Sequence, residues 1–439
     1  MSCLRLISPV DGSLYAERSC TTSLALDHAL AQAREAQRSW RLLPIETRAT
    51  YCLKAVEAML AMSDEIVPEL AWQMGRPVRY GAGELRGFAE RARYMIGIAG
   101  EALADVVPAP IDGFRRYIRR EPLGTVLVIA PWNYPYLTAV NSVIPALMAG
   151  NAVLLKHASQ TLLVGERFAE AFRRAGLPDG LFHHPVLDHG QTGALIASGH
   201  VQQVNFTGSV AGGRLMESAA AGHFIGVGLE LGGKAPAYVR ADANLAHAVE
   251  KALYPAFVEG FIELTRQYVL GNPLEQSTTL GPLVNDHAAS FVRAQIAEAR
   301  AKGARPLIDS KQFAADALGS PYMAPQVLVD VDHSMAVMRE ESFGPVVGIM
   351  AVDNDAQAVE LMNDSPFGLS ASIWSADLAA AEQLGQQIDT GTLFMNRCDA
   401  LDPALAWTGV KNTGRGASLS RIGYEHLTRP KSFHLRHAL

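Results

Sequence analysis

Apolar residues recur at helical spacing through most of the first hundred residues. Residues 24–40 and 48–62 carry them with Arg, Glu and Gln between, and residues 83–103 read as a longer helix. The stretch Phe114-Arg115-Arg116-Tyr117-Ile118-Arg119-Arg120 alternates instead, which predicts an exposed strand. Its arginines read as a solvated charged face rather than a phosphate-binding patch. From Thr125 the rhythm becomes one of short apolar strands separated by helices. Strands are predicted at 125–130, 152–156, 201–206 and 225–229, and helices at 135–148, 161–175 and 209–221. Such alternation implies a parallel sheet covered on both faces, with ligands at the carboxyl ends of its strands.

A second α/β unit follows Lys234, with helices near 245–253, 257–268 and 286–301 and strands near 346–352, 370–374 and 392–395. Gly271-Asn272-Pro273 marks one of its loops. The tail from Arg429 to Leu435 reads as extended, and no internal repeat or low-complexity segment is present. Residues 122–155 carry no charged side chain, but Pro131, Asn133, Pro135, Pro145 and Asn151 divide them into pieces. Two buried strands around a helix fit that pattern better than a membrane span.

Composition narrows the classes. A chain of 439 residues with 49% hydrophobic and 19% charged residues has the balance of a globular protein with a sizeable core. A net charge of −6 argues against a general nucleic-acid or anionic-membrane binder. The only cysteines, Cys3, Cys20, Cys52 and Cys398, show no pairing pattern, which suits a reducing compartment. Residues 1–10 include Arg5 and no long apolar core, so a soluble, cytoplasmic protein is expected.

Four motifs stand in order: Pro131-Trp132-Asn133-Tyr134-Pro135, Phe206-Thr207-Gly208-Ser209, Glu230-Leu231-Gly232-Gly233-Lys234 and Glu341-Ser342-Phe343-Gly344-Pro345. Together they resemble the aldehyde dehydrogenase superfamily, and the resemblance extends from Ser8-Pro9-Val10-Asp11-Gly12 to Pro430-Lys431-Ser432. It implies a Rossmann-like cofactor domain (1–113 and 123–234), an α/β catalytic domain (235–425) and a small β oligomerisation element (114–122 and 426–439). It further implies a homodimer or homotetramer acting on a small-molecule aldehyde.

Oxidising an aldehyde by hydride transfer needs a nucleophile, donors for the oxyanion, a nicotinamide and a base for the deacylating water. By the resemblance, Asn133 is the oxyanion donor and Glu230 the general base. On its own, the Asn133 motif leaves a smaller share of the weight to a plain cap of the following helix. NAD or NADP would contact Ile129, Pro131 and Trp132 on one strand end. Phe206, Gly208, Ser209 and Leu231 would also contact it, with the pyrophosphate at Gly208 and Ser209, where a helix N-terminus suits an anion. Lys156 would hold the adenosine ribose, and Glu341 with Phe343 the nicotinamide side. Many NAD-preferring members carry a glutamate where this chain has Ser159, so nothing acidic there excludes NADP.

The family's nucleophilic cysteine follows the Glu-Leu-Gly-Gly-Lys block by a few dozen residues, and no cysteine occupies that window here. Asp242-Ala243-Asn244-Leu245 leads through Leu253 directly into Tyr254-Pro255-Ala256-Phe257-Val258-Glu259-Gly260-Phe261. Both flanks resemble the family, and the loop and strand between them are missing near Leu253–Tyr254. Either the protein has lost them or the written chain omits them. A loss would remove one strand from the second sheet and leave unpaired edges. Cys398 is a weak substitute nucleophile, better read as a small apolar residue. His183 and His184, with His189 nearby, lack ligand spacing, so no metal is expected.

Overall fold

The computed structural model describes residues 2–243, 253–398 and 400–437. A hairpin of β1 (Cys3–Ile7) and β2 (Leu14–Ser19) opens the chain. Four helices follow: α1 (Ser23–Trp40), α2 (Ile45–Leu60), α3 (Ser63–Met74) and α4 (Val78–Ala102). The hairpin and α3 go beyond the helical pattern read from the sequence. The hairpin strands alternate only weakly between buried and exposed positions, and their clearest signal is the Pro9-Val10-Asp11-Gly12 turn. Gly75 closes α3 at φ 79°, and a Cβ there would meet the Pro282 carbonyl oxygen at 2.7 Å.

After β3 (Phe114–Pro122) come β4 (Thr125–Ala130), α5 (Pro135–Met148), β5 (Ala152–His157), α6 (Leu162–Arg174), β6 (Phe182–His183), α7 (His189–Ala197), β7 (Gln203–Thr207), α8 (Val210–Ala220) and β8 (Gly226–Glu230). The strands order as β8-β7-β4-β5-β6, all parallel. Every residue of β4 and β5 is buried, as an apolar run covered on both faces should be. One hydrophobic core joins these strands to α1 through α6.

The second unit begins with β9 (Ala237–Val239). The predicted helix near 245–253 lies outside the described residues apart from Leu253, the first residue of α9 (Leu253–Arg266). The helix passes through Tyr254 without interruption, with Pro255 in its first turn, where its missing N–H costs no hydrogen bond. Next come α10 (Asp286–Ala301), β10 (Arg305–Pro306), β11 (Gln326–Val329), α11 (Ala336–Arg339), β12 (Val346–Gly348), α12 (Asp355–Asn363), β13 (Phe367–Gly368), β14 (Ser370–Trp374), α13 (Leu378–Gly385) and β15 (Thr392–Met395). These strands form separate sheets, β10-β11-β12 and β15-β14-β9, over several small cores.

Short strands close the chain: β16 (Trp407–Thr408), β17 (Val410–Lys411), β18 (Gly414–Arg415), β19 (Ala417–Ser418) and the longer β20 (Thr428–Arg436). β18 adds antiparallel to β8 at the edge of the first sheet. β20 pairs antiparallel with β3 along its whole length, and Tyr117 stacks on Phe433 at 4.5 Å. Among the described residues no helix is long and apolar enough to cross a membrane.

The loop between β4 and α5 is held from a distance. Tyr134, which precedes α5, provides no side-chain cap. Glu84 of α4 instead accepts the Tyr136 and Leu137 N–H groups at 3.0 and 3.1 Å. A carboxylate suits that helix N-terminus. Glu84 is fully buried and paired with Arg76, whose guanidinium also donates to the Asn133 carbonyl at 2.6 Å and lies 4.5 Å from the Tyr134 ring centre. Replacing Glu84 by Gln leaves the Arg76 charge buried without its counter-ion. The expected cost is about 3–5 kcal/mol, read by chemical denaturation, with Glu84→Asp costing less.

Candidate active site

Glu230 ends β8, where the first sheet meets the carboxyl-terminal strands. Its two carboxylate oxygens accept hydroxyl hydrogens from Ser418 at 2.5 Å and Thr207 at 3.1 Å. It opens on a cavity lined also by Asn141, Ser142, Asn205 and His426. Burial pushes the Glu230 carboxyl above its ordinary value, and the two hydroxyl bonds and the positive charge of Arg91 only partly offset this. Arg91 in turn donates to the Leu137 carbonyl at 2.8 Å and to Asn141 at 3.3 Å. The base candidate and the helix behind the oxyanion candidate therefore share one cationic neighbour.

Asn133 lies in the β4–α5 loop beside Trp132, both half-buried. The Trp132 ring meets the Phe343 ring edge to face at 5.4 Å. Phe343 itself is half exposed and sits at φ 52°, a strained backbone for a bulky side chain. Beside it, Glu341 accepts the Gly233 N–H at 3.0 Å, and Lys234 donates to Ser342 at 3.0 Å. The Pro-Trp-Asn, Glu-Leu-Gly-Gly-Lys and Glu-Ser-Phe motifs, far apart in sequence, are thus joined by direct contacts. Ile129 and Pro131 lead into the loop from β4.

The turn from β7 into α8 fits a dinucleotide phosphate. Ser209 caps α8 by accepting the Gly212 N–H at 3.1 Å. That bond leaves the Val210 and Ala211 N–H groups for an anion. The Gly208 N–H is bonded to the Glu230 carbonyl at 3.0 Å, so the free donors begin one step later than the sequence suggests. Side chains are kept out of this turn: a Cβ on Gly208 or Gly212 would lie 2.6 or 2.7 Å from the Phe206 ring, and one on Gly213 would strike Leu231. Lys156 is buried at the end of β5, where burial lowers its pKa, and Ser159 is exposed nearby. This geometry suits a ribose and a pyrophosphate.

No cysteine joins this arrangement among the described residues. Cys20 and Cys52 are buried, and burial pushes the Cys52 thiol up to about 12. Cys3 is exposed, and its bond to Glu17 raises its pKa. Cys398 is exposed beyond β15. Among the described residues no group of three His, Cys, Asp or Glu is placed to hold a metal. His184 directs Nδ1 to the Leu155 carbonyl at 2.9 Å. Sequence reasoning missed Arg76, Glu84, Arg91, Thr207 and Ser418. The available signal was a buried-side glutamate, Glu84, on an otherwise apolar helix stripe.

Glu230 has a pH signature. Its raised pKa means the folded state retains the proton while the unfolded chain has already lost it. Burial of this carboxyl therefore costs nothing below the ordinary carboxylate range, and the cost grows as pH rises through the raised value. Glu230→Gln is expected to unfold at higher temperature than the wild type at pH 8, with the gain vanishing near pH 4, as followed by calorimetry.

The chain is similar to known proteins over nearly its whole length. The profile of the Aldehyde dehydrogenase family matches residues 2–254 and 247–433. The NAD(P)+ succinate semialdehyde dehydrogenase Sad of Escherichia coli (strain K12) is 30% identical over 440 residues, covering 95% of this chain and 94% of that protein. The 3,6-anhydro-alpha-L-galactose dehydrogenase of Streptomyces coelicolor is 32% identical over 465 residues, covering 99% and 94%. An aldehyde dehydrogenase structure from Brucella melitensis biovar abortus 2308 superposes with a TM-score of 0.93 at 26% identity, covering 100% and 95% of the two chains. A succinic semialdehyde dehydrogenase from Streptococcus pyogenes, solved with NADP+, gives 0.90 at 25% identity, covering 99% and 100%. With its Rossmann-like and catalytic α/β units and its matching relatives, the chain belongs to the aldehyde dehydrogenase family.

Proposed function

We propose that this chain is a dinucleotide-binding member of the family that does not carry out thiol-dependent aldehyde oxidation. The observation that carries this reading is the thiol inventory: Glu230 and Asn133 have no cysteine beside them among the described residues, and Cys52 is inert by burial. The two profile segments overlap at 247–254, and the second unit's strands fall into separate sheets. Both support the loss of a loop and a strand there.

Bound dinucleotide would supply a hydride acceptor. The α8 N-terminus would hold its pyrophosphate, Lys156 its adenosine ribose, and Glu341 with Phe343 its nicotinamide half. Ser159 carries no charge to repel a 2′-phosphate, so NAD+ and NADP+ should both bind. The cofactor domain would comprise 1–113 and 123–234, the catalytic domain 235–425, and the pairing element 114–122 and 426–439. A second reading, a subunit-pairing protein, is favoured by the β3–β20 ribbon, beside which Val106, Val107, Ile111 and Leu435 are exposed. A homodimer or homotetramer would use that ribbon.

One set of measurements tests the proposal. The natively expressed protein should have an intact mass near 47.2 kDa. NAD+ or NADP+ should quench its tryptophan fluorescence with a Kd on the order of 1 μM to 1 mM. Succinate semialdehyde and betaine aldehyde should then give no NAD(P)H. A mass heavier by a loop and a strand, with turnover abolished by iodoacetamide, would overturn the reading. Turnover at the shorter mass that disappears in Cys398→Ser would assign the chemistry to Cys398.

A further inference from the structure

The junction between α3 and α4 touches both units. Gly75 closes α3 in the left-handed conformation, and Arg76 and Pro77 lead into α4. The junction packs against the second unit's loop of residues 270–283. The Val78 N–H donates to the Pro273 carbonyl at 2.8 Å. A Cβ on Gly281 would overlap the Gly75 carbonyl oxygen, just as one on Gly75 would crowd Pro282. Two glycine backbones are thus pressed together where side chains would force them apart. The loop is braced from within: Thr278 donates to the Asn272 carbonyl at 2.7 Å, and the Gly271 N–H to the Leu280 carbonyl at 3.1 Å. It gives the junction a firm backing.

From this junction Arg76 reaches the β4–α5 loop. Its guanidinium divides between two acceptors: one nitrogen pairs with Glu84, and another donates to the Asn133 carbonyl at 2.6 Å. The same group lies 4.5 Å from the Tyr134 ring centre. Glu84 uses its other oxygen for the Tyr136 and Leu137 N–H groups, so loop and helix are fixed together. Both charged side chains are largely buried, and a charged hydrogen bond in such a place is little weakened by solvent or salt. Trp132 stands one residue before Asn133 and meets Phe343 edge to face at 5.4 Å. Any shift of the Asn133 carbonyl is therefore passed directly to that ring contact.

We propose that Arg76 is a positioning residue for the nicotinamide half of a bound dinucleotide. Backed by the 270–283 loop, it fixes the β4–α5 loop so that Trp132 stands against Phe343, where that half would bind. The inference rests on the reading of this chain as a dinucleotide binder, and it adds a residue outside the four motifs. Lysine is a poor replacement. A compact ammonium on a flexible stem lacks the rigid fork that spans the Glu84 carboxylate and the Asn133 carbonyl together. The adenosine half would instead meet Lys156 at the end of β5, so the two halves respond differently to a change at Arg76.

Titration calorimetry on the full chain, with NAD+ and AMP as probes, reads that difference. Arg76→Lys should raise the Kd for NAD+ about tenfold, as the loss of one charged hydrogen bond would. The Kd for AMP should stay within about twofold of the wild-type value, as expected of an independent site. Should Arg76→Lys fail to fold, Gly281→Ala makes the same test from the second unit. Its methyl group presses on the Gly75 carbonyl and displaces the junction without altering any side chain around the loop, and it should likewise weaken NAD+ alone. Three outcomes overturn the inference by itself. The wild type binds NAD+ no more tightly than AMP, so no nicotinamide contact exists to be positioned. The variants bind NAD+ as the wild type does. Or they lose NAD+ and AMP affinity to the same extent, which marks a general loosening of the fold. A wild type that binds neither probe overturns the dinucleotide reading, and this inference with it.

Discussion

A strand inside a parallel sheet must find hydrogen-bond partners on two sides, and the fold is organised by where that requirement is met. β4 has β5 and β7 as neighbours, and its six residues are all buried. Because its backbone is satisfied within the sheet, helices can cover both faces with apolar side chains alone, and a single core extends from α1 to the chain's final turn. The carboxyl ends of these strands then become the one place where backbone turns free, and Asn133, Lys156, Ser209 and Glu230 all lie there. Among the described residues of the second unit, β9 and β12 each pair with one neighbour, and the apolar residues fall into several smaller cores.

Charge is handled differently in the two halves of the site. The β4–α5 loop is fixed by a buried, fully partnered ion pair, in which Glu84 also serves as a helix cap. Glu230 by contrast is held by neutral hydroxyls, with its cationic neighbour Arg91 at one remove. Burial raises the pKa of this carboxyl, and the hydroxyl bonds with the charge of Arg91 offset only part of that rise. The same sheet end therefore carries a rigid electrostatic anchor and a responsive one.

Local pattern revealed most of the elements. Residues 125–130, 135–148, 286–301, 370–374 and 392–395 were legible to the residue, because burial on one or both faces imposes a period on the sequence. The hairpin β1–β2 escaped because its strands are half exposed and carry no firm alternation. Motifs brought in Asn133, Glu230 and the candidate cofactor positions, but not the side chains that hold them in place. Ser418 lies 188 residues from Glu230, and Glu84 lies 52 from the Tyr136 amide it caps. Such pairings leave no trace in spacing, because the fold rather than the chain makes them neighbours.

The several small cores of the second unit imply something about how the molecule comes apart. A continuous core ties distant segments into one cooperative transition, whereas clusters that share few side chains can open separately. The region around β10, β11 and α9 has its own apolar cluster, as does the region around β14 and α13. Under mild denaturant these should behave as distinct foldons beneath a more durable amino-terminal core. Unfolding would then begin in the second unit and leave the first sheet standing.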